Sequence, residues 1–327
     1  MIADVVIGAQ YGDEAKGKVT HYLCKYKDYT HVLRFNGGCN AGHTIYHEGK
    51  KFITHHIPAG VFYGVKSIIG PGCVINPAQF FKEISELKQA GIDTDNLIYV
   101  ANNAHVITDE HMNEEARESK IGTTKRGNGP AYRDKYSRTG LRASDVAELG
   151  PYLIDLYEEF HGNKTVNVLC EGAQGFGLDI DWGDYPYVTS SHCGLGGVIL
   201  NGIPISWIRD IWGVGKVYET YVGTKNFEPE GEYFTRLREA GEEYGATTGR
   251  PRQCNHLDLN FLKKSIKLNS INKLVLNKVD VLREMDTWKL VNDGEVKTFP
   301  TESKMLDYIR NQLSDIEIYF SDSKHKI

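Results

Sequence analysis

The chain has no apolar run approaching the roughly 20 residues that a membrane-crossing helix needs, which excludes a helical membrane protein. Its amino terminus, Met1-Ile2-Ala3-Asp4, lacks both a basic region and an apolar core of the secretory type, so export is not expected. Cysteine is sparse and scattered. The six residues (Cys24, Cys39, Cys73, Cys170, Cys193 and Cys254) show no C-x-x-C spacing, which argues against zinc and a disulfide scaffold and suits free thiols in a reducing cytoplasm. No block of Lys or Arg extends far enough to track nucleic acid, and the formal net charge is −5. Internal repeats, low-complexity tracts and long linkers are also missing.

What is present is a 327-residue chain with 40% hydrophobic and 25% charged residues, enough to bury a large core. Apolar runs alternate with helical patterns, so the expected class is α/β, with a large, mostly parallel central sheet flanked by helices. Strands are expected at Asp4–Ile7, His31–Arg34, Ser67–Ile69, Leu97–Val100, Val166–Leu169, Lys273–Leu276 and Ile316–Phe320. Helices are expected at Pro77–Gln89, Asp145–Phe160 and Leu257–Leu268, and a hairpin turns at Asn292-Asp293-Gly294. A single domain spanning 1–327, with small excursions, is the simplest organisation.

The most informative stretch is Gly8 to Lys18, GAQYGDEAKGK, between the strand Val5-Val6-Ile7 and a helix start. A glycine-rich turn from strand to helix offers several free backbone N–H groups to a phosphate. From Gly12 the spacing is G-x4-G-K, yet Val19 follows where a P-loop has Ser or Thr for Mg²⁺. Asp13, inside the loop, is the carboxylate best placed to take over the metal. Far along the chain, Val275-Leu276-Asn277-Lys278-Val279-Asp280 is an apolar strand ending in N-K-x-D. A carboxylate there can accept both guanine N1–H and the 2-amino group, a donor pair that adenine lacks. Phosphate loop and guanine carboxylate together point to a GTP site.

Further polar, glycine-rich loops follow at Phe35–Thr44 (FNGGCNAGHT), Ile121–Tyr132 (IGTTKRGNGPAY), Glu171–Thr189 and Gly245–Arg252 (GATTGRPR). Together these segments resemble the adenylosuccinate synthetase family, through GAQYGDEAKGK, NAGHT, IGTTKRGNGPAY, GLR, EGAQGFGLDID, YPYVTSS, GATTGR and NKVD in the family's order. The resemblance runs from Ile7 to about Leu282, with a fainter tail to Lys324. It implies a homodimeric ligase that couples IMP, GTP and L-aspartate, with Mg²⁺, to give adenylosuccinate, GDP and phosphate through a 6-phosphoryl intermediate.

Site roles carried over by the resemblance fall on matching positions. Asp13 would take the IMP N1 proton and ligate Mg²⁺ beside the Gly42 carbonyl, and His43 would donate to the developing oxyanion and the departing phosphate. Lys16 and Gln174 complete the catalytic set. GTP would meet Gly12, Asp13, Glu14, Ala15, Lys16, Gly17, Lys18, Gly42, His43, Thr44 and Arg252, with Lys278, Val279, Asp280 and Ser321 at the guanine end. IMP would use Asp13, Lys16, Asn40, Ala41, Gly42, His43, Thr124, Gln174, Thr189 and Arg250, plus Arg138 reaching in from the partner subunit. The aspartate carboxylates would meet Ala246, Thr247, Thr248, Arg250 and Arg252, arginine being suited to bidentate carboxylate binding.

The chain also departs from the family pattern. Ala15 stands where glycine is usual, Tyr221–Glu228 lacks the family's leading arginine and P-F-P, and Pro251 and Gln253 dilute the arginine run after Gly249. The span from Asp145 to Val166 is short, as in archaeal and phage relatives. Two rival readings stay open. One is a phage-type 2-amino-2′-deoxyadenylosuccinate synthase acting on dGMP, against which the retained Asp13 argues. The other is a GTP-binding switch, against which the missing hydroxyl after Lys18 and the His43 loop argue.

Overall fold

The computed structural model describes residues 1–118, 121–162, 165–245 and 249–327. Its centre is a nine-stranded sheet in the spatial order Glu317–Phe320, Lys273–Asn277, Ile208–Lys216, Ile2–Gly8, Asn167–Glu171, His31–Arg34, Lys66–Ile69, Ile98–Ala101 and Leu153–Ile154. Every neighbouring pair is parallel. A parallel sheet buried on both faces needs unbroken apolar strands, and Ile2–Gly8 is buried at every position after the first. All seven expected strands are there, with ends shifted by a residue or two.

The strand Ile208–Lys216, directly beside Ile2–Gly8, was not expected. Gly213 and Gly215 make it read as a loop, but both are packing devices. A Cβ on Gly213 would sit 2.7 Å from Ile271, and one on Gly215 would sit 3.0 Å from Leu276.

The helix expected over Asp145–Phe160 is corrected by the structure. It is a 3-10 segment at Ala147–Tyr152, an edge strand at Leu153–Ile154 and a short helix at Leu156–His161. Pro151 removes a backbone donor and stops the winding, and Asp155 starts the second helix by accepting from the Tyr157 and Glu158 N–H groups at 2.9 and 3.2 Å. Pro77–Gln89 is a helix as expected, capped by Asn76 and buried through Phe80, Ile84 and Leu87. The helix expected from Leu257 starts at Leu259, because Gln253–Asp258 is a strand and Asp258 is its cap. The hairpin Trp288–Asn292/Glu295–Phe299 extends a four-stranded sheet with Tyr218–Tyr221 and Gln253–Asp258.

Beneath the sheet, His56 is fully enclosed and its Nε2 accepts the Asn76 N–H at 3.1 Å. Burial holds its pKa down to about 4. An unfolded histidine titrates near about 6.5, so the unfolded chain takes up that proton first and stability falls as pH drops from about 6.5 toward 4. Between pH 7 and 5, the wild type is expected to lose about 2 kcal/mol more unfolding free energy than His56→Gln. Urea titrations at the two pH values check this.

Candidate active site

The carboxyl ends of the central strands share one edge of the sheet, where parallel α/β sheets bind ligands. Ile2–Gly8 ends there, and the chain turns into the helix Lys16–Tyr26 through Gly12, Asp13 and Ala15, with φ of +89°, +58° and +72°. Left-handed turns at a helix start gather N–H groups into an anion cradle. Ala15 adopts this geometry despite its Cβ, at a cost on the order of 1 kcal/mol.

Glu14 organises the loop from within. Its buried carboxylate accepts from Gln10 N at 3.2 Å, Gly12 N at 2.8 Å and Lys16 Nζ at 2.6 Å. Lys16 also donates to the Gln174 carbonyl. The facing loop passes so closely that a Cβ on Gly8 would lie 2.5 Å from that carbonyl oxygen, and only glycine fits. The Gln10 amide stitches the loop sideways to the strand Ile208–Lys216. It donates to the Lys216 and Tyr218 carbonyls at 3.0 and 3.2 Å and accepts from Lys216 N at 2.9 Å.

The N-K-x-D segment lies at the same edge. Asn277 donates from Nδ2 to the Glu14 carbonyl at 2.8 Å, which ties it to the phosphate loop. Lys278 sits at φ +72° before the helix Val279–Glu284 and donates to the Gly241 carbonyl at 2.7 Å. Asp280 is exposed, with no hydrogen bond among the described residues. Val279 N donates to the Ser321 carbonyl at 3.2 Å, so the chain's tail borders this end. Lys18 reaches Ser321 Oγ and the Ser323 carbonyl, both at 2.9 Å; burial drives its pKa down to about 8, with Asp280 pulling the other way.

His43 opens the strand His43–His47 and is buried, with its ring against Gly17 of the phosphate loop. Its Nδ1 lies 2.6 Å from Glu171 Oε1, and Arg34 spans both ring nitrogens at 3.2 and 3.3 Å. Arg34 also pairs with Glu171 at 2.7 Å, and the Ala59 N–H donates to the other Glu171 oxygen at 2.9 Å. Burial and then Arg34 push the His43 pKa down to about 4. Burial at Glu171 is outweighed by the Arg34 charge and the hydrogen bonds from His43 and the Ala59 N–H, which hold it down to about 2. The imidazole is therefore neutral at pH 7, with Nδ1–H donating to Glu171.

A second buried charge network lies beside the loop. Glu243 accepts from Lys216 Nζ at 3.1 Å, Tyr218 OH at 2.6 Å and Arg252 Nη1 at 2.5 Å. Lys216, Arg252 and Tyr218 hold it ionised, near about 2, against the desolvation of burial. Arg252 then turns outward, with its Nε 2.8 Å from Asp13 Oδ2. Asp13 is the half-open carboxylate at the loop's mouth, its side chain 36% exposed.

Other expected residues gather nearby. Gln174, at φ +57°, donates from Nε2 to Asn40 Oδ1 at 3.0 Å, and its Oε1 accepts from Asn36. Arg250 donates to the Gly122 and Thr123 carbonyls at 3.0 and 3.3 Å, next to Thr124. Ala41, Gly42, Thr44, Thr124 and Thr189 are half-buried. Ala246, Thr247 and Thr248 lie outside the described residues. Arg138 stands exposed at the end of the helix Asn128–Ser137, with no ion pair among the described residues. Sequence reasoning missed Arg34, Glu171, Lys216 and Glu243. The signal was a charged residue closing an apolar strand, as Arg34 closes His-Val-Leu and Glu171 closes Val-Leu-Cys.

Fold and site together define a nucleotide-binding α/β enzyme. Comparison with known proteins narrows this further. The family model for adenylosuccinate synthetase matches residues 5–164 and 147–325. The adenylosuccinate synthetase of Borrelia turicatae is 38% identical over an alignment 365 positions long, gaps included, that covers 95% of this chain and 83% of that protein. That of Halothermothrix orenii is 40% identical over 333 residues, covering 85% and 77%. A solved structure of fully ligated adenylosuccinate synthetase from Plasmodium falciparum superposes with a TM-score of 0.87 at 29% identity, over 98% of this chain and 97% of that one. The succinoaminodeoxyadenylate synthetase of cyanophage S-2L, bound to dGMP and dATP, shares the fold at 21% identity and TM-score 0.79, over 99% and 93%. The chain belongs to the adenylosuccinate synthetase family and is a ligase that forms a carbon–nitrogen bond.

Proposed function

We propose that the enzyme joins L-aspartate to IMP at the expense of GTP, giving adenylosuccinate, GDP and phosphate. The observation that carries this reading is Asp13, a carboxylate at the mouth of a phosphate loop that is itself bonded to the N-K-x-D strand. Asp13 removes the N1 proton of IMP, and the electron pair moves to O6, which attacks the γ-phosphorus of GTP as GDP departs. The aspartate amine then adds at C6, and phosphate leaves. Positioned base catalysis contributes about 10²–10⁴-fold.

His43 begins neutral, with Nδ1–H on Glu171. Arg34 Nη1 lies 3.3 Å from Nε2. An incoming γ-phosphate draws that guanidinium aside and raises the imidazole pKa, so Nε2 takes a proton from water and donates it to the phosphoryl oxygen, a contribution of roughly 10²–10³-fold. Lys16 neutralises phosphate charge, while Asn40, Gln174, Thr124, Thr189 and Arg250 hold IMP. Arg250, Arg252 and the 246–248 segment take the substrate carboxylates. Lys278, Asp280 and Ser321 frame guanine. Glu14 contributes through its backbone, because its side chain is spent inside the loop. Hard oxygen donors suit Mg²⁺, and the Asp13 carboxylate with the Gly42 carbonyl would hold it. Bound there, the ion supplies charge neutralisation of the phosphates. The exposed Arg138 suits a reach into a partner subunit's IMP phosphate in a homodimer, and six buried, unpaired cysteines suit the cytoplasm.

IMP is favoured over dGMP because the chain is 38–40% identical to adenylosuccinate synthetases and only 21% identical to the phage enzyme bound to dGMP. A matrix of IMP, dIMP, GMP and dGMP against GTP and ATP, with aspartate present, tests this. Turnover is expected with IMP and GTP, and turnover confined to dGMP would replace the reading with the phage-type one. Phosphate release from GTP without IMP and aspartate would instead indicate a switch protein.

A further inference from the structure

Two of the departures from the family pattern meet in space. Gln253 accepts from Phe227 N at 2.9 Å and Glu228 N at 3.2 Å, and it donates to the Gly223 and Lys225 carbonyls at 3.1 and 2.7 Å. One side-chain amide therefore fastens most of the altered 223–228 segment. Lys225 projects from that segment into a cage of three rings, its Nζ 4.5 Å from the Tyr11 centroid and 5.0 Å from those of Tyr221 and Phe227. Asp184 closes the cage at 2.7 Å. An ammonium ion enclosed by aromatic faces and a carboxylate is held more firmly than one in water.

The two ends of this arrangement lead to opposite walls of the site. Tyr11 belongs to the phosphate loop, immediately before Gly12 and Asp13, and it stacks on Phe261 at 4.7 Å with the planes 7° apart. Gln253 directly follows Arg252, which reaches Asp13, and pairs across the sheet with Tyr221. We propose that residues 223–228 form a clasp that fixes the aspartate-binding arginines against the phosphate loop, with Gln253 and Lys225 as its positioning residues. The ligand it serves is the dicarboxylate co-substrate. A loosened clasp lets Arg250 and Arg252 drift relative to Asp13, while the guanine end, anchored through Asn277, is untouched.

The identity of that ligand rests on the synthetase reading, whereas the clasp itself does not, and the experiment separates the two. Gln253→Leu and Lys225→Met are each expected to raise the KM for L-aspartate about 10-fold with the KM for GTP within twofold. The double variant should be much less than multiplicative, because both residues hold one segment. Gln253→Glu, which keeps the acceptor and loses the donor, should fall between. Amide hydrogen exchange across 221–228 and 249–258 should quicken in both single variants, a readout that needs no activity. Unchanged exchange in folded variants, or equal KM changes for all three substrates, would overturn the clasp. Quickened exchange in a protein that never uses aspartate would overturn the synthetase reading and leave the clasp standing.

Discussion

Asp13→Asn is expected to lower kcat at least about 10³-fold while the protein unfolds as cooperatively as the wild type. Asparagine keeps the volume and hydrogen-bonding reach of the side chain but can neither accept the N1 proton nor serve as an anionic metal ligand. The fold should tolerate it because Asp13 sits at the loop's mouth, outside the core. Arg252, which loses its partner there, stays anchored from within by Glu243 at 2.5 Å. Steady-state turnover and thermal unfolding of the two proteins decide the matter. Near-normal kcat would remove Asp13 from the base role and leave no carboxylate in the loop to replace it, since Glu14 is enclosed by the loop's own amides and Lys16.

The second large effect is expected at the other end of the site. Asp280→Asn should weaken the use of GTP and improve the use of xanthosine triphosphate, changing their kcat/KM ratio by about 10²–10⁴-fold. Guanine presents two donors to the carboxylate, each worth about 1.5–3 kcal/mol to a charged acceptor. Asparagine offers one acceptor and one donor, which matches xanthine's N1–H and 2-oxo group instead. The Asp280 side chain is exposed and makes no hydrogen bond among the described residues, so the exchange breaks no protein hydrogen bond, and its electrostatic effect on Lys18 acts alike on both triphosphates and drops out of the ratio. An unchanged ratio would mean that the base is read elsewhere.

Much of this was legible in the sequence, for identifiable reasons. Parallel strands buried on both faces must be apolar runs, and seven of the nine central strands announced themselves that way. The two that did not were Ile208–Lys216, disguised by glycines that make room for Ile271 and Leu276, and the two-residue edge strand Leu153–Ile154. The latter lay inside a stretch whose helical pattern outweighed Pro151. Loops rich in Gly, Thr and Asn marked the ligand edge because backbone must approach a nucleotide there. The supporting charges were not legible. Glu243 and Lys216 are 27 positions apart and Arg34 and Glu171 are 137 apart, and only folding makes each a pair. Family comparison also bears on the chain's compactness. Matching 95% of this chain covers 83% of the Borrelia turicatae protein, and the two segments that match the family model overlap at 147–164, within the stretch where the structure replaces the expected helix.

The bond from Asn277 to the Glu14 carbonyl carries a practical consequence for engineering. A residue of the N-K-x-D segment, proposed above to read the base, is a strut of the loop from Gly8 to Lys18. Libraries that aim to change which nucleotide is burned should therefore leave position 277 fixed and diversify 280 and the tail around 321. Lesions at 277 would surface as poor triphosphate retention whatever the base.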